Sequence, residues 1–235
     1  RDGFGRPYGQ YENGSIQLEP STREIDMYAA EANIDFGFAT LTSSTSFYEH
    51  SGDSTSENTG FYAQFGFLSY YYNYPRPMAS AERSWADDAF VEEVRLVSNS
   101  DGPLQYVIGL FYQDQTLYST QDSFLRGYKR WWDAAFPGFE IFVSGDQDFV
   151  YRRAEDFQQT AVFGELTWQV NDRFQITGGV RQFWNESDNH TFMDIPIYTF
   201  LSQPTNAVFN QDESDALFKV NASYDFAADS MIYAT

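Results

Sequence analysis

Apolar and polar residues alternate along two stretches of the chain that meet at Asn171-Asp172. In the first stretch every second residue from 162 to 170 is apolar, with one glycine as the exception, and the alternation resumes at Phe174. A period of two is the pattern of an extended strand with one apolar and one polar face. Asn and Asp tolerate left-handed backbone and favour turns. Residues 157–186 are therefore predicted to form an antiparallel β-hairpin with a very short connection.

Both arms of this hairpin are long, since strands in globular proteins usually have about five or six residues. A tilted strand of roughly nine to eleven residues crosses the hydrocarbon of a membrane. Long arms, a tight turn and a continuous apolar face together are typical of a transmembrane β-barrel. A large soluble β-sandwich, which is also built from alternating strands, is the alternative that this hairpin leaves open.

The same alternation recurs along the rest of the chain and predicts about eight strands in total. Arms outside the hairpin are predicted at 24–35, 38–49, 84–98, 104–120 and 214–226, with a last, truncated arm after 229. Turn-forming residues fall near 36, 101, 171 and 228, and the long connections between them span 50–84, 121–152 and 187–212. Outer-membrane barrels have short periplasmic turns at one end and long extracellular loops at the other. The predicted fold is therefore all-β, an antiparallel up-and-down transmembrane β-barrel.

The two architectures differ in the environment that they give to the apolar residues. The set that separates them is Leu110, Val162, Leu166, Phe174, Ile176 and Phe218. A β-sandwich buries these side chains against a second sheet, whereas a barrel leaves them exposed in one outward band. The alternation of short and long connections favours the barrel, because sandwiches place loops of mixed length at both ends.

Composition narrows the classes of partner. The net charge of −20, from 34 acidic and 14 basic residues, argues against a nucleic-acid partner, whose phosphates require a basic surface. Aromatic residues make up 19% of the chain, which fits the aromatic girdles of a barrel and also the stacking platforms of a carbohydrate-binding sandwich. Cysteine is absent, which excludes disulfides and thiolate metal sites. The mean hydropathy of −0.50 is compatible with a barrel, because barrel strands are only half apolar.

Four segments have the order and spacing of strands in one known barrel family. They are FATLTSSTSFYEH at 38–50, FVEEVRLVSNSDGPLQYVIGLFYQDQ at 90–115, QTAVFGELTWQVNDRFQITGGVRQF at 159–183 and DALFKVNASYDFAADSMIYAT at 215–235. Together they resemble the middle of the β-barrel of a TonB-dependent outer-membrane receptor. The resemblance implies a barrel of roughly 22 strands, plugged by a separate N-terminal domain. About eight strands are too few to close such a barrel, so an open, curved sheet with two bare edges is expected.

The resemblance also implies a function, which is the import of a scarce ligand energised by the TonB complex. The implied ligands are a siderophore–iron complex, a vitamin or a glycan. The implied surroundings are the bilayer of a Gram-negative outer membrane and the receptor's own plug domain. Residues 1–235 are expected to be a fragment of the barrel domain that carries neither the plug nor the TonB box. No enzymatic activity and no cofactor are expected, and a soluble, aromatic-rich carbohydrate-binding sandwich is the alternative.

Aromatic and basic residues concentrate in the long connections. The predicted ligand contacts are Tyr72, Tyr74, Arg76, Arg130, Trp131 and Trp132. Aromatic rings beside basic side chains suit stacking on a ligand ring and the binding of an anionic siderophore. The same residues suit a second interpretation, in which the rings pack a connection on itself or anchor it at the membrane interface.

Charged residues lie on the polar faces of the predicted strands. Those predicted to face the lumen are Glu93, Arg95, Glu165, Arg181 and Lys219. Because basic residues facing lipid cost about 2–4 kcal/mol each at the midplane, these positions require a wet interior. They are interpreted either as contacts to the plug or the passing ligand, or as solvated ion pairs in the wall. His50 and His190 lack metal-ligand spacing and are predicted to be loop residues, and no metal site is predicted.

Overall fold

The fold is taken from a computed structural model, which describes residues 7, 9–12, 14–64, 69–75, 77–227 and 229–235, with the backbone alone at 63 and 64. These residues form eight strands in one antiparallel sheet, and the spatial order of the strands is their chain order. The strands are β1 (Ser21–Asp35), β2 (Ala39–Glu57), β3 (Ala79–Ser98), β4 (Leu104–Leu125), β5 (Gln147–Asn171), β6 (Phe174–Asp194), β7 (Thr205–Ala227) and β8 (Ser230–Ala234). The predicted all-β, up-and-down meander is confirmed, and the sheet is open because β1 and β8 form its two edges.

Short turns and long connections alternate along the sheet, as predicted. Turns at 36–38, 99–103 and 172–173 join β1 to β2, β3 to β4 and β5 to β6, and the longer connections span 58–78, 126–146 and 195–204. Gly37 has a φ of +85°, in the left-handed region that favours glycine, which allows the first turn to reverse so tightly. Because every strand runs antiparallel to the one before it, these turns lie at one end of the sheet and the long connections at the other.

Apolar side chains form a band on one face of the sheet, next to the short turns. One row of register partners in this apolar band consists of Ile34, Leu41, Leu96, Ile108, Gly164, Val180 and Phe218. Of the six residues chosen to separate the two architectures, Leu110 is 59% exposed and Phe218 is 80% exposed, and none of the other four is buried. No second sheet covers this face in the part of the chain that the structure describes. The β-sandwich alternative is therefore wrong.

Glu92 is an acidic exception within the apolar band. It pairs with Thr45 on β2 and with Tyr112 on β4, so its side chain shares the face that carries the apolar rows. Its carboxylate accepts hydrogen bonds from the hydroxyl groups of Ser43, at 2.7 Å, and of Thr45. These two hydroxyl donors offset part of the cost of placing a carboxylate among apolar side chains.

The long connections are shorter than predicted, because the strands continue beyond the apolar band. β2 extends to Glu57, β3 begins at Ala79 and β7 begins at Thr205. Beyond the apolar band both faces carry polar residues, so the alternation that marks a strand in sequence disappears, while the hydrogen bonds between neighbouring strands continue. His50 lies in β2 and His190 in β6 for this reason, and the prediction of both as loop residues is wrong.

The long connections also contain short helices that were not predicted. They are α1 (Thr59–Gln64), α2 (Tyr128–Ala135) and a 3-10 turn at Glu140–Phe142. Helices of one or two turns are marginal by themselves, so their sequences carry little helical signal and their stability comes from tertiary packing. Within the described residues, no helix has the length and apolar character needed to cross a membrane.

Candidate functional site

The buried core of the molecule lies in the long connections, and we call it the aromatic cluster. Its buried members are Tyr71, Tyr74, Ala79, Leu125, Tyr128, Trp132, Val143, Ile197 and Tyr198, and Tyr62, Trp131, Phe136 and Phe142 pack against them. These residues come from all three long connections and from the strand ends beside them. Because each buried ring removes a large apolar area from water, the cluster holds the connections together as one packed layer.

Tyr198 links the three connections through its hydroxyl group. The hydroxyl donates a hydrogen bond to the backbone oxygen of Tyr70, at 2.8 Å, and lies 2.6 Å from the hydroxyl of Tyr128, which donates to it. Burial raises the pKa of Tyr128 to about 12 and raises the pKa of Tyr198 as well. Both phenols therefore stay protonated near neutral pH, and these hydrogen bonds do not change with pH in that range.

The carboxylate of Asp146 joins the end of the connection between β4 and β5 to the start of the same connection. Its two oxygens accept hydrogen bonds from the backbone N–H groups of Gly127 and Lys129, both at 2.8 Å, at the start of α2. Gly127 has a φ of +83°, a conformation that favours glycine. A carboxylate that pairs with free N–H groups at a helix N-terminus also interacts favourably with the helix dipole. Asp146 therefore stabilises the helix that carries three of the predicted ligand contacts.

We expect the replacement of Asp146 by alanine to destabilise α2 by about 1–2 kcal/mol, the usual cost of losing a helix cap. The backbone amides of α2 should then exchange with deuterium roughly five to thirty times faster, while those of β4 and β5 keep their rates. Asp133→Ala is the matched control, because its carboxylate pairs with the partly exposed Lys129 side chain on the same helix. Equal exchange rates in the two variants would contradict the capping role.

Tyr72 and Trp132, two of the predicted ligand contacts, lie against each other at the edge of the aromatic cluster. Their ring centroids are 5.2 Å apart in an edge-on arrangement. Tyr72 is 53% exposed, whereas Trp132 is 5% exposed and its indole N–H donates to the backbone oxygen of Phe139, at 2.8 Å. A molecule arriving from solvent therefore meets the ring of Tyr72, and Trp132 supports that ring from the buried side.

The other predicted ligand contacts differ in their accessibility. Tyr74 is buried, and its hydroxyl donates to the backbone oxygen of Arg126, at 3.2 Å. Trp131 is half-buried and packs against Tyr74, with centroids 5.2 Å apart. Arg130 is exposed on α2, and Arg76 lies outside the described residues. Tyr74 and Trp132 thus belong to the aromatic cluster, Trp131 packs against it, and Tyr72 contacts its edge through Trp132.

An aromatic cavity of about 380 Å³ opens beside the cluster. It is lined by Tyr72, Trp132, Phe136, Phe139, Phe142 and Phe200. Every described side chain in the lining is aromatic. Small-molecule sites are typically concave, apolar and of about 300–1,000 Å³. The aromatic cavity therefore suits a flat apolar group that stacks against the rings.

A second cavity, of about 400 Å³, contains a buried carboxyl group, and we call it the Asp148 cavity. Its lining includes Phe61, Tyr62, Tyr70, Tyr71, Asp148 and Phe149. Asp148 is 2% exposed, and its Oδ2 accepts hydrogen bonds from the hydroxyl groups of Tyr71, at 3.1 Å, and of Tyr62. These two hydrogen bonds join the first long connection to the start of β5.

The residues predicted to face the lumen lie on the face opposite the apolar band. They are Glu93, Arg95, Glu165, Arg181 and Lys219. Each of them is next in sequence to a residue of the apolar band, namely Val94, Leu166, Val180 or Phe218, and neighbouring residues of a strand point to opposite faces. Lys219 Nζ on β7 lies 2.8 Å from a Glu165 oxygen on β5, across the intervening strand β6, and Arg95 lies 3.3 Å from Glu93. Arg181 stacks over the ring of Phe111, 4.8 Å from its centroid. Exposed pairs of this kind contribute about 0–1 kcal/mol each, and their position in a lumen stays a prediction.

Tyr128, Tyr198 and Asp148 carry central contacts of the site, and none of them was predicted. Tyr128 and Tyr198 are 70 positions apart, so only the folded sheet brings their hydroxyls together. The available signal is the density of aromatic residues in every long connection, including Tyr198 and Phe200 in the third. That density indicates packing between connections, although it does not say which rings meet.

An open meander with an exposed apolar band, short turns at one end and packed aromatic connections at the other is the architecture of part of an outer-membrane barrel. The sequence matches the family described as TonB dependent receptor-like, beta-barrel over residues 1–235. The chain therefore belongs to the TonB-dependent receptor-like β-barrel family, which confirms the resemblance found in the sequence. None of the curated proteins matches the chain.

Three solved receptors share the fold. The chain is similar to the ferric yersiniabactin uptake receptor FyuA from Yersinia pestis, with a TM-score of 0.67 and 16% identity over 93% of this chain and 29% of that one. For the ferric-catecholate import receptor Fiu from E. coli K12 the TM-score is 0.54, with 12% identity over 92% of this chain and 35% of that one. For the siderophore receptor PiuA from Acinetobacter baumannii the TM-score is 0.57, with 10% identity over 91% of this chain and 32% of that one. The chain thus spans about a third of the length of these receptors.

Proposed function

We propose that this chain forms part of the barrel wall of an outer-membrane receptor that imports a ferric siderophore, energised by the TonB complex. The observation that carries the proposal is the combination of three surfaces on one sheet, which are the apolar band, the polar face and the aromatic cluster. The apolar band suits contact with lipid, the polar face suits a wet interior, and the connections suit capture of a ligand from outside. The three similar structures are receptors named for siderophores or their ferric complexes, which supports this ligand over a vitamin or a glycan.

In this proposal the receptor lies in the outer membrane of a Gram-negative bacterium. The polar face, with Glu93, Glu165 and Lys219, surrounds the receptor's own plug domain, through which the TonB complex acts. The backbone edges of β1 and β8 pair with neighbouring strands of a barrel of roughly 22 strands, because unpaired edges within a bilayer are not stable. A nucleic-acid partner is not proposed, because the net charge of −20 repels phosphates.

The aromatic cavity is the proposed point of first contact with the ligand. The exposed ring of Tyr72 offers a stacking surface, and the exposed Arg130 on α2 offers a positive charge for an anionic chelate. Trp132 supports the ring of Tyr72, while Tyr74 and Trp131 hold α2 in place through packing. Arg76 belongs to the same proposal as a second basic contact.

The test is uptake of radioactive iron by a bacterial strain that lacks its own siderophore receptors and makes the full natural protein. We expect at least one ferric siderophore, from a panel of hydroxamates, catecholates and mixed chelators, to enter in an energy-dependent way that a protonophore stops. Tyr72→Ala should weaken binding of that siderophore roughly ten-fold, since an aromatic contact contributes about 0.5–1.5 kcal/mol and 1.4 kcal/mol is a factor of ten.

Tyr118→Ala is the matched control for Tyr72→Ala. Tyr118 is 54% exposed, close to the 53% of Tyr72, but it lies on the β4 face that carries the apolar band. We expect no change in siderophore affinity for this variant. An equal loss of affinity in both variants would remove the aromatic cavity from the proposal. Uptake of a vitamin or a glycan, with no ferric siderophore taken up, would contradict the ligand class.

A further inference from the structure

The carboxyl group of Asp148 is nearly inaccessible to water, yet within the described residues only one of its oxygens is paired. Oδ2 accepts hydrogen bonds from the hydroxyl groups of Tyr62 and Tyr71, whereas Oδ1 has no hydrogen-bond partner among the residues that the structure describes. Among the residues that the structure describes, no Lys, Arg or His side chain forms an ion pair with Asp148. Burial therefore raises the pKa of Asp148, because its two phenol donors are neutral and no described cation balances the charge of its carboxylate.

The walls of the Asp148 cavity suit a positive charge. Tyr62, Tyr70 and Tyr71 form a continuous aromatic wall, with the centroid of Tyr71 5.4 Å from that of Tyr62 and 5.0 Å from that of Tyr70. Phe61 and Phe149 add two more rings to the lining. The faces of aromatic rings attract cations, and the attraction is stronger where water is excluded.

We propose that the Asp148 cavity binds an organic cation with N–H donors, namely a primary ammonium or guanidinium group on an aliphatic arm. Such a cation supplies both the hydrogen bond that Oδ1 lacks and the positive charge that the carboxylate lacks, while the arm packs against the rings. Oδ1 is buried although Asp148 lines the cavity, so the cation reaches it after a side chain of the lining moves.

Two other classes of ligand fit the Asp148 cavity less well. A calcium ion takes about six to eight oxygen ligands, and one carboxylate with two phenols does not supply them. In the described part of the chain, no group of three or more acidic, His or Cys side chains could hold a metal ion. A neutral sugar would stack on the rings but would leave the charge of the carboxylate unbalanced.

This proposal goes beyond the import of iron, because it concerns a charge on the ligand and not the metal that the ligand carries. The cation has two possible sources, a free small amine or guanidine and a pendant group on the imported ligand. Binding is measured without transport, so a failure of this proposal and a failure of the proposed function give separate results.

The test uses saturation-transfer NMR to measure the binding of pentylammonium ion, and of its neutral counterpart 1-pentanol, to the full natural protein in detergent. Asp148→Asn removes the charge and keeps an oxygen that accepts the tyrosine hydrogen bonds. Asp122→Asn is the matched control, because it removes a carboxylate that pairs with Arg152, at 2.7 Å, outside the cavity on the neighbouring strand.

We expect the dissociation constant of pentylammonium to rise about ten-fold or more in Asp148→Asn and to stay unchanged in Asp122→Asn, as the loss of a charged hydrogen bond predicts. The 1-pentanol signal should be the same in all three proteins. Equal binding of pentylammonium to the natural protein and to Asp148→Asn would overturn the proposal. Equal binding of the ion and the alcohol to the natural protein would overturn it as well.

A second variant keeps the test decisive if Asp148→Asn does not fold, which proteolysis of the long connections would reveal. Tyr70→Leu removes one ring of the aromatic wall and leaves the carboxyl group in place. We expect it to weaken the binding of pentylammonium several-fold while 1-pentanol binds as before, because cation–π attraction is lost and apolar contact is kept. Unchanged binding of pentylammonium to this variant would also overturn the proposal.

Competition experiments then identify the source of the cation. The competitors are an iron(III) trihydroxamate with a free primary amine on an aliphatic arm, ferrioxamine B, and its N-acetylated form, which has lost the charge. Displacement of pentylammonium by the free amine alone assigns the cation to the imported ligand. Displacement by neither chelate assigns it to a separate small molecule. Equal displacement by both would overturn recognition of the charge.

Discussion

Replacement of Ile108 by arginine should lower the free energy of unfolding of the full natural protein in a lipid bilayer by about 2–4 kcal/mol. Ile108 is 57% exposed and lies midway along the apolar face of β4, between Leu104 and Tyr112. Its register partners are Leu96 on β3 and Gly164 on β5, so no acidic side chain stands directly beside it. A guanidinium group at this position would lie among acyl chains without a partner, and most of its hydration would be lost.

The measurement for Ile108→Arg is urea unfolding of the protein folded into lipid vesicles. Gln113→Arg is the matched control, because Gln113 lies on the polar face of the same strand, where its amide donates to Gln115 at 3.1 Å. We expect the control to change the free energy of unfolding by less than about 1 kcal/mol, as surface substitutions usually do. An equal loss in both variants would mean that the two faces meet the same surroundings. The apolar band would then not be the lipid-facing surface.

The meander was predictable because its signals are local in sequence. The two arms of each short hairpin are neighbours along the chain, so the alternation of Ile108 with its polar neighbours assigns the faces without any long-range contact. A slip of one residue would move every apolar side chain of a strand to the other face, which is why the pattern also specifies the register. Turn chemistry at Gly37 and at Asn171-Asp172 places the reversals.

The upper strands and the site were not predictable in the same way. His50 Nδ1 lies 2.7 Å from a carboxylate oxygen of Asp87 on the next strand, on a stretch where neither face is apolar and no periodic signal exists. Asp148 follows Gly145-Asp146 in a segment that has the composition of an exposed loop, and the hydroxyl groups that contact its carboxylate, from Tyr62 and Tyr71, come from a distant connection. Contacts between distant connections depend on the finished sheet, so sequence composition indicates their chemistry and not their partners.

Truncation of Tyr198 to alanine is expected to have the largest effect on the long connections. Tyr198 is 1% exposed, and its ring centroid lies 5.4 Å from that of Tyr70 and 6.0 Å from that of Trp132. Removal of a large buried aromatic side chain costs about 3–5 kcal/mol through lost burial and the cavity left behind. The change also removes the hydroxyl that bridges Tyr70 and Tyr128, so all three connections lose a shared contact.

The sheet should keep its stability in this variant, because Tyr198 lies outside the strands and the backbone hydrogen bonds between neighbouring strands do not involve it. Hydrogen exchange in Tyr198→Ala should therefore become faster throughout α2 and the residues around Tyr71, while β4 and β5 keep their protection below the connections. Tyr198→Phe is the control that keeps the ring, and its expected cost is only about 1 kcal/mol for the lost hydroxyl. Faster exchange confined to residues 195–204 would show that the connections are stabilised separately. Faster exchange in all three would show that the connections are stabilised as one unit.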